Sequence, residues 1–427
     1  MKLKSLLLLF ALSVCLSAQE LGRRPLLGVM LERVPEGKGV LVRTIIPNST
    51  AEKAGFKPGD ILLKINATEV NTPDEAVKYV GTHDGGQAFT YELIRDKKTV
   101  NGQSVFEPMP TEKHEGIEME YTSVQTINGL QRLIVSKQPG SKKRPALVFI
   151  GGIGCYSLDY PLEKDRNRSE LMLLNKLTKD GFVCIRAEKP GVGDNRKCTA
   201  CSEVSFNNEI SGYVSAINAV KKYDYVDSGQ VYIIGHSMGG VMAPVIARQT
   251  SLKGIIAYGT IGSSFIEHLA KTRRTIAEAF EMSPEDTDNF VKDFCECAGY
   301  YFVEGLTTDQ AAMKKTECRD YLNLFDLRSP AYNKELYALN IIGAWKEFKG
   351  KALILWGESD YVSSREDHEI IANAINYYHR GNAEFASIKA ATHAMNEAAG
   401  FREAKRGEGP YNTEVGQKIS RWLKSHG

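Results

Sequence analysis

The sequence predicts an α/β protein: a mostly parallel sheet flanked by helices and carrying a helical insertion, preceded by a smaller β-rich domain. Three observations carry that expectation. From residue 145 onward, short apolar segments alternate with longer helical patterns, and such alternation builds a parallel sheet covered on both faces. At one strand-to-helix junction, glycines bracket a serine in Gly235-His236-Ser237-Met238-Gly239. Residues from about 24 to 107 read differently, as short β patterns broken by turn signals around one helix.

Length and composition bound the rest. A chain of 427 residues exceeds one ordinary domain. Its 42% hydrophobic and 25% charged content belongs to a globular chain rather than a disordered or fibrous one. Residues 1–18 read as a signal peptide: Lys2 and Lys4, an apolar run from Ser5 to Leu16, then small residues Ser17-Ala18 before Gln19. The run is shorter than the ~20 residues that span a bilayer. The alternatives are a buried N-terminal helix and a lipid-modified Cys15, for which Val14 is a poor preceding residue. No later stretch is apolar enough for a transmembrane segment. The mature protein is expected to be exported, periplasmic or secreted, and soluble. Without Lys2 and Lys4, the 54 lysines and arginines fall to 52, matching 52 aspartates and glutamates. That balance argues against nucleic acid or an anionic membrane as partner.

Export makes the cysteines candidates for pairing. Seven of the eight lie beyond the leader, so at least one stays free or pairs between chains. Cys198-Thr-Ala-Cys201 reads as a local disulfide, two free thiols or a metal site.

In the front domain, Leu26 to Leu31 and Val40 to Ile46 read as strands, and Pro47 to Thr50 turns into a short helix, Ala51 to Ala54. Gly55-Phe56-Lys57-Pro58-Gly59-Asp60 is a tight turn feeding the strand Ile61 to Ile65. Thr72 caps a helix opened by Pro73, with Asp74 and Glu75 against its N-terminal dipole. Ala88 to Arg95 is a further strand. The residues Leu27-Gly28-Val29, Gly39 to Val42, Pro47 to Ala51, Ala54 to Leu62 and Ile65-Asn66 resemble a PDZ domain of the kind found in bacterial periplasmic proteases. The resemblance implies an open strand edge beside a helix, to which a peptide adds as a strand. Leu27, Gly28 and Val29 would then present backbone amides to a C-terminal carboxylate. A groove filled by the protein's own chain, or a vestigial one, is the alternative.

A short linker around Glu107 to Glu115 leads to a second domain, 115–427. Met119 to Val124 and Gly129 to Ser136 read as an antiparallel pair turning at Asn128-Gly129. The strands that follow are Pro145–Ile150, Phe182–Glu188, Val231–Ile234, Gly254–Tyr258, Ala352–Trp356 and Ala383–Ile388. An insertion of helices and aromatics, about 263–349, separates the fourth of these from the fifth.

The chemistry concentrates at the carboxyl ends of these strands, where ligands collect in parallel sheets. G-x-S-x-G between strand and helix forces Ser237 into a strained turn with its hydroxyl exposed above the sheet. A serine nucleophile needs a base and an orienting carboxylate. Asp360 follows one strand, in Gly357-Glu358-Ser359-Asp360, with Glu358 the weaker candidate, and His393 follows the next. His368 and His379 are read as surface residues. The tetrahedral oxyanion needs donors, for which the amides of Met238 and of Ile153, in Gly151-Gly152-Ile153-Gly154, are the candidates. Lys189-Pro190-Gly191-Val192-Gly193-Asp194 reads as a tight turn set by backbone geometry.

These motifs resemble the α/β-hydrolase superfamily, particularly bacterial serine esterases and related peptidases. The likeness implies an α/β-hydrolase fold with a lid, acting through an acyl-enzyme on a small-molecule or peptide acyl substrate, an ester before an amide. Alternatives are a serine peptidase or aminopeptidase on short peptides, and a non-catalytic peptide-binding protein on a hydrolase scaffold. No H-G opens the oxyanion loop, which leaves its donor open. The insertion's Phe290, Phe294, Tyr300, Tyr301, Phe302, Tyr321 and Phe325 are read mainly as lid core, and the acidic stretch from Glu281 to Asp288 as a helix start. No metal or nucleotide motif is present, and no metal or other cofactor is implied.

Overall fold

The computed structural model describes residues 21–35, 37–407 and 409–426. The expected leader and Cys15 lie outside them. Among the described residues, no helix is long and apolar enough to cross a membrane.

The front domain's sheet contains β1 (Val29–Arg33), β2 (Val40–Ile45), β3 (Ile61–Ile65), β4 (Thr68–Glu69), β5 (Ala88–Arg95) and β6 (Lys98–Val105). Its order is β1-β2-β3-β5-β6, with β4 on β3. Every pairing is antiparallel. The sequence reading did not anticipate β6. Its Lys-Thr-Val-Asn-Gly-Gln-Ser-Val carries no apolar run, and its order comes from an eight-residue ladder with β5. Helix Pro73–Gly81 is capped by Thr72, whose hydroxyl accepts the Glu75 amide.

The second sheet contains β7 (Glu118–Thr126), β8 (Gly129–Lys137), β9 (Arg144–Ile150), β10 (Val183–Ala187), β11 (Val226–His236), β12 (Gly254–Tyr258), β13 (Lys351–Gly357) and β14 (Ala383–Ile388). The order is β14-β13-β12-β11-β9-β10-β8-β7. β7 and β8 form an antiparallel hairpin, β8 joins β10 antiparallel, and all other neighbours are parallel. This is an α/β-hydrolase arrangement. Strand alternation divides the core into two layers. Val148, Ile150, Val231 and Ile233 pack on one face, while Leu147, Phe149, Tyr232 and Ile234 pack on the other. Both faces are apolar because helices cover both.

Between β12 and β13 runs a helical insertion, from Phe265–Ala279 through Pro284–Phe302 to Ile341–Glu347. Phe294 and Phe325 are buried within it. Ser283 caps helix Pro284–Phe302 by accepting the Asp286 amide, which makes the acidic stretch a helix start. A disulfide, Cys297–Cys318, ties two of its helices.

Two expectations need correction. Cys201 pairs with Cys155, not with Cys198, which is a free thiol bonded to the Leu130 carbonyl. The partner comes from the loop after β9, a neighbour in space that spacing in the sequence does not announce. His368 is fully buried rather than on the surface. It sits in the first turn of helix Arg365–Tyr378, facing the sheet.

The linker is no slack tether. Glu112 is 2% exposed and forms a two-pronged ion pair with Arg186, at 2.7 and 2.9 Å. Charges also join the domains directly. Arg23 bridges Asp194 at 2.6 Å and Asp159 at 2.8 Å, and Lys197 reaches Asp84 at 2.6 Å.

Candidate active site

β11 ends at His236, and helix Met238–Ala247 begins two residues later. Between them Ser237 stands at φ 55° and ψ −118°, a region that a residue with a side chain occupies only under strain. Its amide donates to the Tyr258 carbonyl at 3.0 Å, while its carbonyl accepts the Gly240 amide at 3.0 Å and the Thr260 hydroxyl at 3.1 Å. The glycines are steric necessities. A Cβ on Gly239 would lie 2.1 Å from the Ile150 carbonyl oxygen, and one on Gly235 would lie 2.6 Å from the backbone of Gly239.

Asp360, after β13, and His393, after β14, come together although 33 residues apart: His393 Nδ1 is 2.9 Å from Asp360 Oδ2. Asp360 is 1% exposed. It also accepts the amides of Val362 at 2.8 Å and Ser363 at 2.9 Å, and the Ser363 hydroxyl. Burial alone would raise this carboxyl. The charge and hydrogen bond of His393, with the Ser363 bonds, hold it instead at about 2. The imidazole lies against Gly259, where a Cβ would come within 3.0 Å of Nδ1. Gly259 directly follows Tyr258, whose carbonyl holds Ser237. Glu358 is exposed and takes no part in this pair. His379 sits at the far end of helix Arg365–Tyr378, bonded to the Lys346 carbonyl.

Two further histidines brace this rim. The His236 ring lies 4.9 Å from that of His393, and its Nε2 donates to the His393 carbonyl at 3.1 Å. Burial, reinforced by His393, pushes His236 down to about 3, so it is neutral. His368 Nδ1 donates to the Ser364 carbonyl, which leaves Nε2 to accept the Thr260 amide at 3.0 Å. Beside it Asp367 gathers the Gly262 and Ser263 amides and the Ser263 hydroxyl. Both histidines thereby anchor the backbone that carries Ser237 and His393.

Met238 is buried at the helix N-terminus. Ile153 is half-buried, its carbonyl bonded to Arg328 at 2.9 Å. Gly152 faces the serine: a Cβ there would lie 3.6 Å from the Ser237 hydroxyl oxygen. The Gly152 amide donates to the Tyr156 hydroxyl at 3.1 Å. Burial raises that phenol to about 12, so it keeps its proton. Sequence reasoning did not single out Tyr156, and it took Lys189 only as the first residue of a tight turn. The turn Lys189 to Asp194 is more than backbone geometry, since Lys189 donates to the carbonyls of Gly152 and Gly154.

A cavity of about 810 Å³ lies in the helical insertion, lined by Tyr301, Phe302, Leu306, Phe325, Arg328 and Lys334 among others, and neither Ser237 nor the Gly151–Gly154 loop is part of its lining. Three of the insertion's aromatics therefore face open space as well as core.

In the front domain, Gly28 has φ 71°, and a Cβ on it would fall 2.0 Å from that of Ser49. The Leu27 carbonyl accepts the Ala51 amide at 3.0 Å and the Gly28 carbonyl the Ile46 amide at 2.8 Å. Val29 opens β1, an edge strand paired with β2 on one side.

A PDZ domain family model matches residues 25–103. The magnetosome formation protease MamE of Paramagnetospirillum magneticum is 35% identical over 63 residues, 15% of this chain and 9% of that protein. The periplasmic serine endoprotease DegP of Escherichia coli is 36% identical over 69 residues, 16% of this chain and 15% of that protein. The chain thus spans 9% to 15% of the length of these curated relatives. Among solved structures, Est1E from Butyrivibrio proteoclasticus covers 72% of this chain and 98% of its own, at 12% identity and a TM-score of 0.45. A provisionally assigned dipeptidyl aminopeptidase IV from Bacteroides ovatus covers 79% of this chain and 40% of its own, at 15% identity and a TM-score of 0.46. Together with the strand order and the turn at Ser237, the family match establishes the architecture: the chain joins a PDZ domain to a domain of α/β-hydrolase fold.

Proposed function

We propose that the protein is an exported serine hydrolase that cleaves an ester of a small or apolar acyl group through an acyl-enzyme. One observation carries the reading: a strained serine between β11 and its helix stands on the same sheet edge as His393 paired to a buried Asp360. In this reading His393 removes the Ser237 proton as the oxygen attacks the acyl carbon. The carbonyl π bond opens, and the oxyanion takes hydrogen bonds from the amides of Met238 and Ile153. On collapse, the leaving alcohol departs with the proton from His393. Water then repeats the sequence on the acyl-enzyme, releasing the acid and restoring Ser237. Asp360 keeps the imidazole proton on Nδ1, so that Nε2 carries the lone pair that acts as base.

The PDZ domain is proposed to take peptides with free C-termini along β1, at the Leu27-Gly28-Val29 loop. An edge strand beside an αL glycine supports this.

The test is hydrolysis of 4-nitrophenyl acetate and butyrate with labelling by a fluorophosphonate. Wild type is expected to turn over and to label, and Ser237→Ala to do neither. Equal inactivity of both chains across esters and short peptides would leave the non-catalytic reading in its place.

A further inference from the structure

Three consecutive carbonyls of the loop after β9 turn toward buried cations. Lys189 Nζ donates to the Gly152 carbonyl and, at 2.9 Å, to that of Gly154. Arg328 Nη1 donates to the Ile153 carbonyl at 2.9 Å. Glu209 joins the two, bonded to Arg328 Nη2 and lying 3.5 Å from Lys189 Nζ. The side chains of Lys189, Arg328 and Glu209 are 5%, 0% and 2% exposed. Two cations against one carboxylate leave one positive charge in excess, and a buried charge without partners is strongly destabilising. The three carbonyl dipoles are what solvates it. Burial pushes the Lys189 ammonium down to about 8, with Glu209 opposing and Arg328 adding to that shift. A fold selected for stability alone has no use for such a group here.

The geometry has a consequence for the amides. In a trans peptide the carbonyl of one residue and the N–H of the next point in opposite directions, and the described chain has no cis peptides. Carbonyls 152, 153 and 154 facing the cations therefore turn the amides of Ile153, Gly154 and Cys155 away from them. The Gly152 amide is already engaged by Tyr156, while Gly152 itself lies against Ser237. The Cys155–Cys201 disulfide ties the end of this loop to the segment after Lys189.

We infer that Lys189 and Arg328 are positioning residues, a cationic clamp that holds the loop with the Ile153 amide set to donate to the oxyanion formed at Ser237. Arg328 comes from the helical insertion, so the insertion supplies half of the clamp and the catalytic loop is complete only while it is seated. This rests on the serine-hydrolase reading above.

The test uses the full chain with 4-nitrophenyl acetate, its thionoester analogue and a fluorophosphonate probe. Sulfur is a weak hydrogen-bond acceptor, so the thionoester depends less on the oxyanion donors. In Lys189→Met and Arg328→Met, kcat for the oxygen ester is expected to fall about 10- to 100-fold, with KM within about twofold and the oxygen-to-thiono rate ratio falling in step. Arg328→Lys, which keeps a donor and the charge, is expected to restore most of the loss. Unchanged kinetics, or equal loss on both esters, overturns the clamp. Should the methionine variants fail to fold by thermal melt, Arg328→Lys and Arg328→Gln carry the comparison. An oxygen-to-thiono ratio equal to wild type in both of these overturns the inference, and a lower ratio in Gln than in Lys supports it. Wild type that neither hydrolyses nor labels overturns the hydrolase reading together with the clamp; active, labelled wild type with insensitive variants overturns the clamp alone.

Discussion

Replacing Asp360 by asparagine probes the candidate base through its orienting partner. The carboxylate accepts four hydrogen bonds. Oδ1 takes the Val362 and Ser363 amides, and Oδ2 takes the Ser363 hydroxyl and His393 Nδ1. An asparagine keeps the two backbone bonds through its oxygen. Its NH₂ then confronts the Nδ1–H of His393, donor against donor. The imidazole relieves this by moving its proton to Nε2, the nitrogen that must accept from Ser237. The expected loss in kcat is about 10⁴-fold, or about 5.5 kcal/mol of transition-state stabilisation, with KM little changed. Stability is a second readout. A carboxyl held at about 2 against an ordinary 3.8 contributes about 2 kcal/mol above pH 4 and loses it as pH falls through 2. Asp360→Asn is therefore expected to melt earlier at pH 7, the gap closing in acid. Glu358→Gln is the control, expected within twofold of wild type because Glu358 is exposed. An asparagine variant retaining more than a tenth of wild-type kcat on 4-nitrophenyl acetate would refute the reasoning.

Three further outcomes are expected. Gly28→Ala forces a side chain into a φ of 71° and against Ser49, so binding of free C-terminal peptides, read by fluorescence anisotropy, should vanish while ester kinetics stay unchanged. Glu112→Gln removes the carboxylate paired with the buried Arg186 and should cost about 3 to 5 kcal/mol in urea unfolding. Raising pH through about 8 discharges Lys189, which faces Glu209 from helix Phe206–Val220 and Arg328 from the insertion. kcat for 4-nitrophenyl acetate should fall across that point, and a kcat flat from pH 7 to 10 would count against a need for the charge. Stability moves the other way: unfolded lysine keeps its proton to about 10.5, so unfolding free energy should rise by about 3 kcal/mol between pH 8 and 10.5.

What was legible in the sequence is what local physics determines. Gly254–Tyr258 is a strand over the residues expected, because a buried apolar run bounded by turns admits little else; Ala383–Ile388 also matches its expected bounds, although it is a mixed, partly exposed edge strand. The turn at Ser237 is legible because only glycines fit beside the Ile150 carbonyl. Elements and contacts that depend on distant partners are not. β6 is polar and takes its order from β5. His368 looks like a solvent-facing residue of an amphipathic helix until the Thr260 amide is seen to need an acceptor. Cys155 and Cys201, or Lys189 and Arg328, share no pattern in the chain. They meet because β9 and β10 are neighbours in the sheet and the insertion folds back over their ends.

The join between the two domains limits how this chain can be divided. Asp159 and Asp194 are buried in the hydrolase-fold domain, yet part of their neutralisation comes from Arg23 on the far side of the boundary. A fragment starting after residue 107 would bury acid with too little base, so neither half is a cassette to be exchanged at will. A peptide seated on the PDZ domain would also be held at a set distance and angle from Ser237. Recruitment here would work less like a leash than like a fixed jig, favouring whatever cargo has the right span.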